Sequence, residues 1–584
     1  MPLRLARFRT DERGNLAIMF GLSLLPVMGL TGAAIDYSQA TTLRTRLQAA
    51  TDATALRLCQ LPRTTTASEI QTKALAWMKS YTGSDVVTLP AADFKVTDDP
   101  RTVEMKSVMP SPAYFGKIYN MIGSTPYINA IPVGASARCA APVPQDFEIA
   151  LVVDTTGSMA GTDKKGVTKI ESLRKAAKDF VDFVADNPAF SAQTRIALVP
   201  FASSVAVDPT TIANAVWLDK DAKSPIHWNN FQNNGAHFKS RFEIFNSLKN
   251  KYADWKWAGC FESLPYPLNA TDSGFDPNKN ETYYVPLLAP DEPGENSTGD
   301  VDTYFTDGPK AAYVSRRGYR QYSTNSYLRD YTSGSECDSD IDTAVAAEKR
   351  TCKYVNPLKA SSRPASGLTV ANGPNYSCTS QPLTRLTTDF VGLKAKIDTL
   401  YSRGATNIQE GLIWGWRTLS PVSVFGDGYA YGRPNTRKVL ILMTDGMNTW
   451  NSVSQSYAIN KSVYSSFGYY VNADGTKAAE YGQPTNRFPE QTVNPVEGDD
   501  ARAAMDKLTS TTCGNITNMA NPIEVFTIGF SVDNDKIDQK GIDLLAGCAS
   551  KPTTTHAFIA NDSTALLNVF RQIATSIGAL RLTQ

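Results

Sequence analysis

Apolar residues run from Leu16 to Ile35 without a charge, a stretch of 20 residues. A helix of that length rises about 30 Å, the thickness of a bilayer's hydrocarbon core. The pattern therefore predicts a membrane span over 16–35. Arg4, Arg7, Arg9 and Arg13 precede it and Asp36 closes it. That asymmetry puts residues 1–15 in the cytoplasm as a basic tail and everything beyond Asp36 outside. A cleaved signal peptide with small residues at Ala33 and Ala34 is the rival reading, and it exports the same remainder.

Residues 36–59 contain no Gly or Pro and are rich in Ala, Leu, Gln and Arg, so the helix is expected to continue outward. A second helix is expected from Ala67. The alternating stretches DFKVTD, RTVEMKSVMPS and YINAIPVGASARC then read as short strands. Together 36–145 predict a small α+β stalk.

The pattern changes at Phe147. FEIALVVDTTGSM is a continuous apolar run that suits a strand buried on both faces of a parallel sheet. KIESLRKAAKDFVDFVADN follows with apolar residues at helical spacing (Leu173, Ala176, Ala177, Phe180, Val181, Val184). Further strands are expected in TRIALVPFASSV, RKVLILMTDG, IEVFTIGFSV and THAFIA. Helices are expected in LTTDFVGLKAKIDTL, TNIQEGLIWGWRTLS, DDARAAMDKLTSTTCGNITNMA, DKIDQKGIDLLAGC and STALLNVFRQIATSIGAL. This alternation predicts an α/β fold over 146–584: a doubly wound, mostly parallel sheet with ligands at the carboxyl ends of its strands. Two long insertions interrupt it. Residues 206–380 lack helical periodicity and carry Trp217, Trp228, Trp255 and Trp257; residues 447–498 are similar but shorter. The tryptophans read either as a disulfide-stapled mini-core or as a carbohydrate-binding face.

Three separated pieces carry the candidate chemistry. The first strand of the second half ends in Asp154-Thr155-Thr156-Gly157-Ser158. The sequence Arg403-Gly404-Ala405-Thr406-Asn407 opens a helix, and RKVLILMTDG ends at Asp445-Gly446. Mg²⁺ takes six hard oxygens and keeps some waters. Asp154 and Asp445 offer carboxylates; Thr156, Ser158 and Thr406 offer hydroxyls that leave the metal's charge uncancelled. Such an ion stays electrophilic towards a partner's Asp or Glu. A helix after Ser158 is expected to add its positive end. Taken alone, Thr156 and Ser158 also fit a simple helix cap and Asp154 a strand end.

Two resemblances follow. The basic tail, ERGN, apolar helix and DYSQATTLRTRLQAATDATAL resemble the TadE/TadG-like N-terminal module of tight-adherence (Flp) pilus assembly. There an acidic residue closes the membrane helix, as Asp36 does, and an LQ-A-D-A-AL run follows. Gly14 stands where related pseudopilins are processed, but no Glu follows within the apolar run, so prepilin-type cleavage is not expected. The D-x-[ST]-x-S, distant Thr and distant Asp resemble the metal-ion-dependent adhesion site of the von Willebrand factor A family. The flanking LVVDTTGSM, GATNIQEGL and ILMTDG fit as well. That resemblance implies a Rossmann-like fold with a divalent cation, Mg²⁺ foremost and Mn²⁺ or Ca²⁺ also accepted, held by Asp154, Thr156, Ser158, Thr406 and Asp445. The pair of resemblances implies a TadG-like protein: single-pass in a bacterial inner membrane, binding a protein partner of the cell envelope or pilus machinery.

Composition narrows the alternatives. Lys plus Arg is 58 and Asp plus Glu 57, which leaves no basic excess for nucleic acid. No GxxxxGK[ST] loop supplies a nucleotide site. Only three histidines occur, His227, His237 and His556, none at metal-ligand spacing from another, so zinc chemistry and histidine base catalysis are poorly supplied. An enzyme is not expected; a lectin using the aromatic insertion and a periplasmic metal-dependent hydrolase are the alternatives. Eight cysteines, all beyond the apolar segment, suit disulfides in an oxidising compartment. Local pairings would be Cys59 with Cys139, Cys337 with Cys352, and Cys513 with Cys548.

Overall fold

The computed structural model describes residues 15–61, 65–98, 101–115, 129–140, 145–232, 237–292, 325, 327–328, 348–359, 373–452, 460–472, 487–489, 498–533 and 535–578. The chain divides into two compact units, Met1–Pro144 with Gly578–Gln584, and Gln145–Ile577.

In the first unit, helix α1 (Asn15–Cys59) carries the apolar stretch and continues through the Ala-rich sequence. Its N-terminal half is long and apolar enough to cross a membrane. Met19, Phe20, Leu22 and Leu30 are each more than 60% exposed, so nothing among the described residues covers them. Helix α2 (Ala67–Thr82) starts at a capping box formed by Thr66 and Glu69 and ends at Gly83, whose φ of 65° favours a residue without Cβ. Strands β1 (Lys95–Asp98), β2 (Arg101–Pro112) and β3 (Ala130–Ala140) form an antiparallel sheet in that order. Leu47, Ala50, Ala55 and Leu58 of α1 bury with Ile70, Ala74 and Met78 of α2 and with Val103, Met105 and Val133. The Cys59–Cys139 disulfide ties helix to sheet.

The second unit is a six-stranded sheet in the order β6-β5-β4-β7-β8-β9. The strands are β4 (Asp146–Asp154), β5 (Arg195–Phe201), β6 (Thr384–Thr387), β7 (Thr436–Thr444), β8 (Glu524–Phe530) and β9 (Ala557–Ala560). All pairs are parallel except β5 with β6. Because successive strand residues face opposite sides, β4 feeds two cores. Ala150 and Val152 enter one; Phe147, Ile149, Leu151 and Val153 enter the other. The second core is covered by helices α3 (Lys169–Asp186), α5 (Phe390–Asp398) and α9 (Ser563–Ile577). The first is covered by α6 (Ile408–Leu419), α7 (Gly498–Thr517) and α8 (Gln539–Cys548).

Helix α6 is buried at every position, as a helix enclosed on all sides must be. It rides close on the sheet through Gly411 and Gly415. An added Cβ there would stand 2.5 Å from the Phe201 ring and 2.4 Å from Val152.

The structure corrects several expectations. Residues 206–380 hold a helix, α4 (Arg241–Lys251), whose short buried face is Arg241, Ile244, Phe245 and Leu248, with a charge in the first place. Of the segment expected as one helix over 386–400, the start belongs to edge strand β6 and only 390–398 is helical. Helix α8 begins at Gln539, capped by Asp538, rather than at Asp535. The tryptophans form no exposed face: Trp217, Trp255 and Trp257 are buried and Trp228 is half-buried. They do not form a separate mini-core either, because Trp217, Trp255, Trp257 and Phe261 are continuous with the sheet core beneath α6. Cys513 pairs with Cys548 as expected, and Cys260, for which no partner was expected, pairs with Cys378. Cys352 is also disulfide-bonded, and the expected pairing with Cys337 lies outside the described residues.

Candidate functional site

Strands β4 and β7 are parallel neighbours, so their carboxyl ends lie side by side. Asp154 is the last residue of β4, and Asp445 follows Thr444 at the end of β7. Asn407 caps α6 by accepting from the Glu410 N–H, which holds the adjacent Thr406 at the same edge.

Backbone bonds fasten the three loops together. The Gly157 N–H donates to Gly404 O at 2.9 Å and the Arg403 N–H to Thr155 O at 2.8 Å. The Thr449 N–H donates to Thr406 O at 2.8 Å.

The side chains converge accordingly. Thr156 Oγ1 and Ser158 Oγ are 2.9 Å apart, and Ser158 Oγ donates to Asp445 Oδ1 at 2.7 Å. Asp154 Oδ1 accepts the Thr156 N–H at 2.8 Å, and Asp154 Oδ2 accepts the Thr444 hydroxyl at 2.6 Å. A Cβ on Gly446 would stand 3.8 Å from both Ser158 Oγ and Thr406 Oγ1. All five sequence-derived positions therefore share one spot. The segment after Ser158 differs from expectation: it is a short 3₁₀ turn, Gly157–Ala160, and α3 starts only at Lys169.

Burial, and then the neighbouring Asp445, push the Asp154 carboxyl up to about 7. Burial also raises Asp445, against the pull of Lys169. Two carboxylates held in low dielectric are short of positive charge. The ammonium of Lys169 supplies part of it, at 2.7 Å from Asp445 Oδ2 and 2.6 Å from Asp535 Oδ2. Two carboxylates, Asp445 and Asp535, thus face one fully buried ammonium. Two carboxylates and three hydroxyls are hard oxygen donors that fit a divalent cation of the Mg²⁺ type. Among the described residues no three His, Cys, Asp or Glu side chains gather as a metal cluster, and the hydroxyls are what distinguish this donor set.

Lys169, Thr444 and Asp535 escaped the sequence reading. Lys169 had a signal: one turn before Leu173, it falls in phase with the apolar stripe of α3, where a charge needs a buried partner. Asp535 had none, because it lies in an irregular loop.

The spot opens into a cavity of about 560 Å³ whose lining includes Ser158, Thr406 and Asp445. Met447, Trp450 and Val463 from the second insertion join Met505 and Ile537 on its apolar side, and Lys536 adds a cation.

The family model described as putative Flp pilus-assembly TadE/G-like matches residues 14–57. The chain thus carries a TadE/G-like module at its N-terminus. Among solved structures, the PilB minor pilin from Streptococcus sanguinis is similar at 12% identity, with 84% of this chain and 78% of that chain covered and a TM-score of 0.30. The von Willebrand factor domain of the type V pili tip protein Mfa5 from Porphyromonas gingivalis is similar at 11% identity, covering 76% and 98%, with a TM-score of 0.30. A von Willebrand factor type A protein from Catenulispora acidiphila is similar at 9% identity, covering 84% and 48%, with a TM-score of 0.25. At such scores the A-type fold rests on strand order and on the three loops instead. Comparison with curated proteins gives no match.

Proposed function

We propose that this chain is a membrane-anchored, extracytoplasmic binding component of tight-adherence pilus assembly or surface adhesion. In this reading Asp154, Thr156, Ser158, Thr406 and Asp445 hold a divalent cation, Mg²⁺ foremost. The bound ion supplies an electrophilic position for an acidic side chain of the partner. The carrying observation is the convergence of these five side chains at adjacent strand ends, where one buried ammonium pairs with Asp445 and Asp535.

The chain's own residues shape the rest of the encounter. Met447, Trp450 and Ile537 favour an apolar neighbour beside the acid, and Lys536 favours its charge. A cavity walled by an insertion suits an extended segment of the partner better than a flat surface. The pilus-assembly module supports the setting, and α1 supports anchoring with the bulk of the chain outside. We propose binding without catalysis. The lectin alternative loses support because Trp217, Trp255 and Trp257 are in the core and Trp228 is half-buried.

The test is calorimetric titration of Mg²⁺ and Mn²⁺ into the full chain in detergent, beside Asp154→Ala. Saturable binding that the variant lacks is expected. Failure of the parent to bind either ion would sink the metal reading.

A further inference from the structure

The residues that follow β2 are fastened to α1 at the level of the apolar stretch. Both oxygens of the Asp36 carboxylate accept backbone N–H groups, Oδ1 from Tyr114 at 3.0 Å and Oδ2 from Phe115 at 3.0 Å. Asp36 is only 4% exposed. One turn earlier on the helix, Gly32 makes room for the Phe115 side chain, and an added Cβ would stand 2.7 Å from Phe115 Cβ and Cγ.

These contacts fix a depth. If residues 16–35 span the hydrocarbon, Gly32 lies three residues inside its outer edge, or about 4.5 Å at the helical rise. Phe115 packs beside it, while Tyr114 is 66% exposed. Tyr37 of α1, 70% exposed, stands one residue beyond Asp36. Exposed tyrosines at that height are the residue type favoured at a membrane–water interface. From Met105 to Gln145 the sequence has no Asp or Glu, so nothing acidic in this stretch repels anionic headgroups.

We propose that Tyr114 and Phe115 form a second membrane contact, bedding the tip of the sheet into the outer interfacial layer beside α1. The ligand is the lipid surface itself. Asp36 is the positioning residue: its carboxylate holds the loop's N–H groups against the helix, which also spares a carboxylate near the bilayer from being unpaired. The first unit is then held to the membrane at two points and cannot swivel about its helix. This inference rests on the membrane reading of α1.

The test uses the full chain in vesicles of phosphatidylethanolamine and phosphatidylglycerol. Tyr114 is replaced by the photoreactive p-benzoylphenylalanine, with the same replacement at Tyr81, 47% exposed on α2, as the comparison. Alkaline extraction first reports whether the chain is integral to the bilayer. After irradiation, mass spectrometry is expected to find a lipid adduct at 114 several-fold above that at 81. Asp36→Ala is expected to lower the 114 adduct several-fold while the chain still resists extraction. Equal adducts at 114 and 81 in an extraction-resistant chain, or a protein adduct at 114, would overturn the lipid contact alone. An unchanged 114 adduct in Asp36→Ala would overturn the role given to Asp36. Release of the chain by alkali would overturn the membrane reading and this inference with it.

Discussion

Lys169 Nζ stands 2.7 Å from Asp445 Oδ2, and both side chains are wholly buried. The same ammonium reaches Asp535, half exposed in the loop after β8. The ion pair therefore clasps the end of β7 to the neighbouring loop at the rim of the cavity. Removing one partner of a buried pair leaves the other charged and desolvated, which costs about 3–5 kcal/mol. Lys169→Met is expected to lose that much unfolding free energy in chelator, measured by urea denaturation. Added Mg²⁺ should restore more in the variant than in the parent. An equal loss in chelator and in Mg²⁺ would separate Lys169 from the cation site.

The neutral donors have a smaller, separate effect. Metal at about 100 times its dissociation constant stabilises the folded chain by about 2.7 kcal/mol. Thr406→Val keeps the side chain's shape but removes its hydroxyl, and the Mg²⁺-induced rise in unfolding free energy is expected to fall by about 1 kcal/mol. Thermal unfolding with and without Mg²⁺ measures this. An unchanged rise would remove Thr406 from the ligand set.

The two insertions are joined by buried carboxyl groups. Tyr469 OH donates to Glu292 Oε1 at 2.8 Å, and Asn460 Nδ2 donates to Glu348 Oε2 at 2.6 Å. Burial, then the nearby Glu348, pushes Glu292 up to about 8, and burial pushes Glu348 up to about 7. Unfolded, both titrate near 4.5. Between that value and 7–8 the folded chain keeps protons that the unfolded chain has lost. Their contribution is therefore fully present below about pH 4.5 and is lost as pH rises through 7–8, by up to about 1.4 kcal/mol per pH unit for each group. Unfolding free energy in chelator is expected to fall from pH 5 to pH 8. Glu292→Gln and Glu348→Gln together should reduce the slope, because the amide mimics the protonated acid, and leave the part that the raised Asp154 contributes. A slope unaltered in the double variant would assign it elsewhere.

The disulfide between Cys260 and Cys378 closes a loop with a sequence separation of 118. A cross-link over so long a loop restrains the unfolded chain by about 4–5 kcal/mol. Replacing both cysteines with alanine should lower the denaturation midpoint accordingly. A change below about 1 kcal/mol would mean that the buried aromatic packing holds the insertion unaided.

Where the hydrophobic period was clean, the sequence was easy to read. Strands β4 and β7 appear as apolar runs because both faces are buried, and α3 appears as a stripe with a Thr168–Glu171 capping box ahead of it. The site's loops were legible because strand ends and a helix cap need particular small polar residues. What stayed hidden had mixed signals. The edge strand β6 is only four residues, each half-buried, and so has no alternation to detect. Arg241 opens the buried face of α4 with a charge, and its partners Glu262 and Tyr464 lie outside the helix. The aromatic insertion read as a mini-core of its own or as a binding face because its burial depends on α6, which is encoded more than a hundred residues later.

The strand order also sets a timetable. At the centre of the sheet, β4 pairs with β7, and their charged pair Glu148–Lys438 is separated by 290 residues. Until that distant strand emerges, β4 and β5 offer an unclosed parallel edge. Contacts so remote are slow to form, because loop closure comes before any packing gain. On the reading that this chain is exported, late closure keeps the second unit threadable while it crosses the membrane. The sheet, both insertions and the cavity would then consolidate together only on the far side.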